Sequence, residues 1–189
     1  MIFASDYMAD NTAQKIIDAA LKVFGEKGYK GATTRVIAEK AGFSELTLFR
    51  KFKTKENLFD MALIQNIIEF KKEFHSILLE NRSEDPEEFL KKLIKDIAKI
   101  VDDNFEFIHI INNEKSEASE PFKKEFINSL SNYIKKNIPN SKMDYKALGI
   151  TIFMVTYGIS LSKNHGETFI NHEEILEGFI NNSLRLIRD

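Results

Sequence analysis

Apolar residues recur at intervals of three and four along nearly the whole chain, and no segment alternates with the period of two that a half-buried strand requires. Helices are therefore what this sequence can build. It shows no repeat, no low-complexity tract and no strand–helix alternation, so the expected fold class is all-α. Only three prolines interrupt it, Pro86, Pro121 and Pro139, each beside Ser, Asn, Asp or Glu residues where a helix can break or begin. With 189 residues the chain can bury a real core and has room for one domain plus a small second one.

The spacing predicts a first helix after a Thr12 cap, carrying Ile16, Ala20, Val23 and Phe24 on one face and closed by Gly25, Gly28 and Tyr29. Two short helices occupy a basic stretch that follows. Beyond it a long helix is expected from about Lys55 to Glu80, with a break at Ser83–Pro86 and another helix from Glu87 to Asp103. Helical turns over Phe105–Asn113, a helix from Pro121 to Ile138, and two last helices over Met143–Asn164 and Glu173–Arg188 complete the pattern.

Several functional classes find no support in the residues. There is no cysteine, so neither a disulfide framework nor a thiolate metal site can form, which fits a cytoplasmic setting. Met1–Asp10 lacks a basic n-region and a long apolar segment, so a secretory leader is not expected. The longest uncharged stretch, Ala147–Ser162, is shorter than the roughly 18 residues of a membrane span and reads as a buried helix. His75, His109, His165 and His172 have no i,i+4 partner, so no metal is expected. No phosphate-cradling glycine loop and no Gly-x-Ser-x-Gly occurs, and the acid pairs Glu87-Glu88 and Glu173-Glu174 sit where helices start. Catalysis and a bound cofactor are accordingly not expected.

Charge is segregated. Lys27 to Lys55 holds eight bases against two acids, +6 within a chain of net −2, so the remainder carries −8. One end suits phosphates and the other repels them, although a solvated basic face would look the same.

Within that stretch, Thr33–Phe52 reads TTRVIAEKAGFSELTLFRKF. It meets the needs of two short helices crossing at a tight turn. Thr33 or Thr34 caps the first, Ile37 faces the core, and Ala38 is small where the helices approach. Gly42 supplies a left-handed turn residue, Phe43 fills the junction and Ser44 caps the second helix. Leu48 and Phe52 point inward, leaving Glu45, Leu46, Thr47, Phe49, Arg50 and Lys51 outward. A major groove would accept such a face: apolar atoms meet thymine methyls, a hydroxyl meets a base edge and cations meet phosphates.

These residues resemble the DNA-binding domain of the TetR family of transcriptional regulators. The resemblance rests on Phe24-Gly25-Glu26-Lys27-Gly28-Tyr29, Thr33-Thr34, Ile37-Ala38, Ala41-Gly42, Ser44, Thr47-Leu48-Phe49, Phe52 and Lys55. It implies a helix-turn-helix domain over residues 1–54 and a helical ligand-binding and dimerisation domain over 55–189. It further implies DNA contacts from Thr33, Thr34, Arg35, Ser44, Glu45, Leu46, Thr47, Phe49, Lys51 and Lys55. Thr34 and Arg35 would touch the backbone, Glu45, Leu46 and Thr47 would probe base edges, and Lys51 and Lys55 would hold phosphates. Two positions depart from the family pattern. Phe49 replaces a usual tyrosine and lacks its phosphate-seeking hydroxyl, and Glu45 is either a specificity element or a charge placed for the helix N-terminus.

The resemblance fades after about Leu63. From there the residues indicate architecture: Ile175, Leu176, Phe179, Ile180, Leu184 and Ile187 form a wide stripe on the last helix, and the helix before it is apolar nearly all round. Covering both asks for a second copy, and the resemblance implies a homodimer through about 143–164 and 173–188. Sixteen phenylalanines crowd the chain. Phe105, Phe122, Phe126, Phe153 and Tyr157 are candidate linings for a small apolar ligand, with His109 as its polar handle. The expected function is thus a ligand-responsive repressor that binds a palindromic operator as a dimer. The alternatives are a DNA-bound scaffold whose C-terminal half binds a protein, and, with less support, an enzyme using a helical pocket.

Overall fold

The computed structural model describes residues 11–81, 83–139 and 143–188. The expectation about a leader at Met1–Asp10 lies outside the described residues. Among the described residues all regular structure is α-helical: α1 (Asn11–Gly31), α2 (Thr34–Ala41), α3 (Glu45–Phe52), α4 (Lys55–Glu80), α5 (Pro86–Asp103), α6 (Phe105–Asn113), α7 (Ser119–Asn137), α8 (Tyr145–Asn164) and α9 (His172–Arg188). None of these helices is long and apolar enough to cross a membrane. From α4 onward the expected bounds agree within two residues, α8 starting at Tyr145 rather than Met143, while α1 passes through Gly25, kinks at Gly28 and runs on to Gly31. α7 starts at Ser119 rather than Pro121. Proline costs nothing there, because first-turn N–H groups have no acceptor inside the helix. α1 includes Asn11, so Thr12 lies inside the helix.

Packing divides the chain into two compact units. The first comprises residues up to Phe70 together with Glu106–Pro121. Its core is Ile16, Ile17, Ala20, Val23 and Phe24 of α1 with Ile37, Leu48, Phe52 and Leu58, all at most 1% exposed. Phe24 meets Phe59 edge-on at 4.9 Å, and Phe70 meets Phe107 at 5.7 Å. Each such ring removes a large apolar area from water, the main force holding helices this short.

The second unit comprises Lys71–Phe105 and Phe122 onward. Asp85 caps α5 through the Glu87 amide with Pro86 in the first turn, and Asp144 caps α8 through the Lys146 and Ala147 amides. α5 buries Phe89, Leu90, Leu93, Ile94 and Ile97 and packs on α8 and α9. α8 is not uniformly apolar: Ser160 Oγ donates to Asp102 Oδ1 (2.7 Å), and Lys163 Nζ lies 3.2 Å from Asp102 Oδ2. The Tyr133 hydroxyl donates to the carbonyl of Asn81 (2.6 Å), closing the C-terminal end of α4. The proposed functional division at residue 54/55 falls inside the first packing unit, since α4 begins there and contributes Leu58, Phe59, Ala62 and Leu63 to that core.

Candidate nucleic-acid interface

The turn between α2 and α3 is set by local chemistry. Thr33 is the α2 cap, its hydroxyl accepting from the Val36 amide at 3.3 Å. Gly42 has φ 78° and ψ 27°, its N–H donates to Glu39 O and that of Phe43 to Ala38 O, the paired bonds of a Schellman ending. Ser44 then caps α3 by accepting from the Thr47 amide at 3.2 Å. Leu48 and Phe52 are fully buried, which orients the opposite face outward.

On that outer face Leu46 is 70% and Phe49 40% exposed, and Arg50 is exposed beside them. The Thr47 hydroxyl lies 2.9 Å from Ser44 Oγ. Arg35 is exposed and pairs with Glu39 at 3.1 Å, a surface ion pair worth little in water and easily exchanged for a phosphate. Glu45 is only partly exposed: its Oε1 accepts from the Thr34 hydroxyl at 2.5 Å. The charge at the start of α3 is thus also a tie between the two helices.

α3 ends in a strained turn. Lys53 has φ 65° and ψ −48°, and the Thr54 N–H donates to Phe52 O at 2.7 Å. These are the marks of a γ-turn that L-residues seldom adopt. Asn57 Nδ2 donates to the same carbonyl at 2.8 Å, and its own amide donates to Thr54 Oγ1 at 3.0 Å.

Lys55 differs from the other expected contacts. Its ammonium donates to Ala32 O at 2.8 Å and stands 4.4 Å above the centre of the Tyr29 ring. Burial, then Glu56 and Asp60, push the Tyr29 hydroxyl above its ordinary pKa, so at neutral pH the ring under Lys55 is the uncharged phenol. Lys51 is half-buried at the end of α3.

Residues 16–62 match the family model of bacterial regulatory proteins of the tetR family. Over 55 residues the chain is 47% identical to the uncharacterized HTH-type transcriptional regulator YvkB of Bacillus subtilis, an alignment covering 29% of each chain. The fold is similar along nearly its whole length to that of a candidate regulator of fatty acid metabolism from Clostridium perfringens, with TM-score 0.69 and 25% identity over 90% of this chain and 97% of that one. Residues 16–62 thus form a TetR-family DNA-binding segment.

The match to curated sequences spans less than a third of those relatives, and the family-model match, residues 16–62, lies within the first packing unit. For the whole fold, FadR from Bacillus subtilis, solved with stearoyl-CoA, aligns with TM-score 0.65 at 19% identity, over 92% of this chain and 96% of that one.

The aromatic residues expected to line a ligand site form a row in the second unit. Phe122 stacks on Phe126 (6.4 Å between centres), Phe126 meets Phe153 edge-on (5.5 Å), Phe153 stacks on Tyr157 (6.2 Å), and Tyr157 stacks on Phe105 (6.5 Å). Phe74, which sequence reasoning did not single out, joins Phe126 at 4.8 Å. His109 lies on α6 in the first unit, half-buried, with Asn113 Nδ2 donating to its carbonyl. Asn57, Lys53 and Glu114 were also not singled out. Asn57 had a signal in Thr54, which caps α4 from three residues upstream, whereas the other two carry none.

Proposed function

We propose that this chain is a TetR-type regulator, a homodimeric, ligand-responsive transcriptional repressor acting on double-stranded DNA in the cytoplasm. The observation that carries the DNA half is the outer face of α3: Leu46 and Phe49 stand exposed beside Arg50 on a helix fixed at its start by Ser44 and beneath by Leu48 and Phe52. Exposed apolar side chains next to cations on so rigid an element suit a major groove, where methyl groups and phosphates lie side by side. Thr33, Thr34, Arg35, Ser44, Glu45, Thr47 and Lys51 complete that surface, and Lys55 supports it from within.

Two copies are needed to hold two such helices about one DNA turn, roughly 34 Å, apart. Ile150 and Met154 of α8 and Ile175 and Leu186 of α9 are 41–56% exposed, an apolar surface that a second copy would cover. For the effector, the row from Phe105 to Tyr157 offers an apolar wall within the second unit, while His109 is a separate polar candidate in the first. A fold shared with a FadR solved with stearoyl-CoA makes a long-chain acyl thioester the first probe. The ligand would lower DNA affinity by binding more tightly to the conformation that does not fit the operator.

Selecting duplexes from a random library with the full chain, then titrating the winner and a scrambled duplex at two salt concentrations, tests this reading. A sequence preference with steep salt dependence is expected; equal, weak binding to both overturns it. The ring-on-ring packing of the aromatic row favours a second reading, a DNA-bound scaffold with a protein partner. Loss of DNA binding on adding stearoyl-CoA or another acyl thioester would exclude it.

A further inference from the structure

We propose that Glu114, 85 residues from its partner in sequence, is a positioning residue for DNA binding, holding the base of the helix-turn-helix through the backbone of Tyr29. The inference rests on the DNA-binding reading above, and all the groups involved lie in the first packing unit.

α1 breaks at Gly28, whose φ of 68° and ψ of 170° lie outside the helical range. Beyond the break, the Tyr29 N–H donates to Glu114 Oε1 at 2.8 Å. The same carboxylate oxygen would stand 3.0 Å from any Cβ placed on Gly28. Glycine is favoured there by its backbone angles, and a Cβ would in addition press on that oxygen and push it away from the Tyr29 amide. A second close approach lies three residues earlier, where a Cβ on Gly25 would meet that of Glu106 at 3.1 Å. α6 and the segment after it thus lie directly on the end of α1.

Tyr29 is where three elements of the DNA-binding unit meet. Its ring packs against Phe59 of α4 at 4.9 Å and lies under the ammonium of Lys55, the first residue of α4. That ammonium also holds Ala32 O, immediately before the Thr33 cap of α2. Glu114, Tyr29, Lys55 and Ala32 therefore form one connected set joining the end of α1, the start of α2 and the start of α4. A charged acceptor on a backbone N–H makes a stronger bond than a neutral one, and it fixes where the chain leaves α1. The segment carrying Glu114 is itself braced: the hydroxyls of Ser116 and Ser119 each accept from the other's amide, at 3.1 and 3.2 Å.

Glu114→Ala removes the acceptor, Glu114→Asp keeps the charge but shortens the reach by one methylene, and Glu114→Gln keeps reach and an accepting oxygen. The full-length variants would be titrated with the duplex selected by the parent chain, and Tyr29 amide exchange would be followed by NMR. The expected result has three parts. Tyr29 exchanges faster in the Ala and Asp variants. Their DNA affinity drops about tenfold with an unchanged salt slope, because no phosphate contact is lost. The Gln variant recovers most of both. Unchanged Tyr29 exchange, or faster exchange with full DNA affinity, overturns the proposal. Should the Ala variant fail to fold, the Asp and Gln pair decides by the same two readouts. Amide exchange needs no DNA, so it tests the clasp even if no duplex is ever selected, an outcome that would instead defeat the DNA-binding reading.

Discussion

The hydroxyl of Thr34 donates to Glu45 Oε1 at 2.5 Å, joining the first residue of α2 to the first residue of α3. A carboxylate facing DNA repels phosphates, yet this one is held by a hydroxyl that would otherwise be available to the DNA backbone. Glu45→Ala is expected to tighten binding to random and selected duplex alike, severalfold, leaving the gap between them nearly unchanged. Fluorescence anisotropy on both duplexes checks it, and a narrowed gap would show that Glu45 reads a base instead.

Lys51 and Lys55 should separate cleanly. Lys55 already holds Ala32 O and the Tyr29 ring, so Lys55→Ala is expected to lower folding stability by about 2 kcal/mol as well as DNA affinity. Lys51→Ala should reduce the slope of log affinity against log salt by about one, whereas Lys55→Ala should leave that slope nearly unchanged. Equal falls in slope for both would contradict the distinction.

Gly42 tests the turn alone. Nothing lies within 4 Å of a Cβ added there, so the cost of Gly42→Ala comes only from placing an L-residue at φ 78°. That cost is about 1 to 2 kcal/mol, readable in urea unfolding, with the helical content of the folded state retained.

Asp60 gives the stability a pH dependence of known sign. Burial, then Glu56 and Glu117, raise its carboxyl above the ordinary 3.8. The folded state therefore takes up this proton more readily than the unfolded one. Its contribution opposes folding at neutral pH, and the opposition is relieved as pH falls through the raised value toward 3.8. Asp60→Asn should be more stable than the parent at neutral pH, with the difference shrinking under mildly acid conditions. A difference that grows on acidification would reverse the assignment.

Most of the helical layout can be read from the sequence because periodicity and caps are local: Asp85, Ser44 and Asp144 each cap the helix that follows, and Lys55–Glu80 is one unbroken helix as expected. Thr33 rather than Thr34 is the α2 cap, a choice that depends on which hydroxyl reaches the Val36 amide. Which side chains of α3 stand outward was legible; how they bond to one another was not. Thr34 and Glu45 both belong to the expected DNA face, but their mutual bond depends on how two helices cross. The resemblance makes Lys55 a phosphate contact, and only folding shows Ala32 O within its reach. Glu114 meets Tyr29 across 85 residues, a distance no periodicity spans.

The turn at Lys53 trades backbone ease for a cation. Glycine would sit more comfortably at φ 65° and ψ −48°, and what lysine offers in return is the bond from its Nζ to Arg50 O at 3.0 Å and a positive charge at the foot of α3. Lys53→Gly is therefore expected to ease the turn while removing that charge, so that stability and affinity for DNA move in opposite directions.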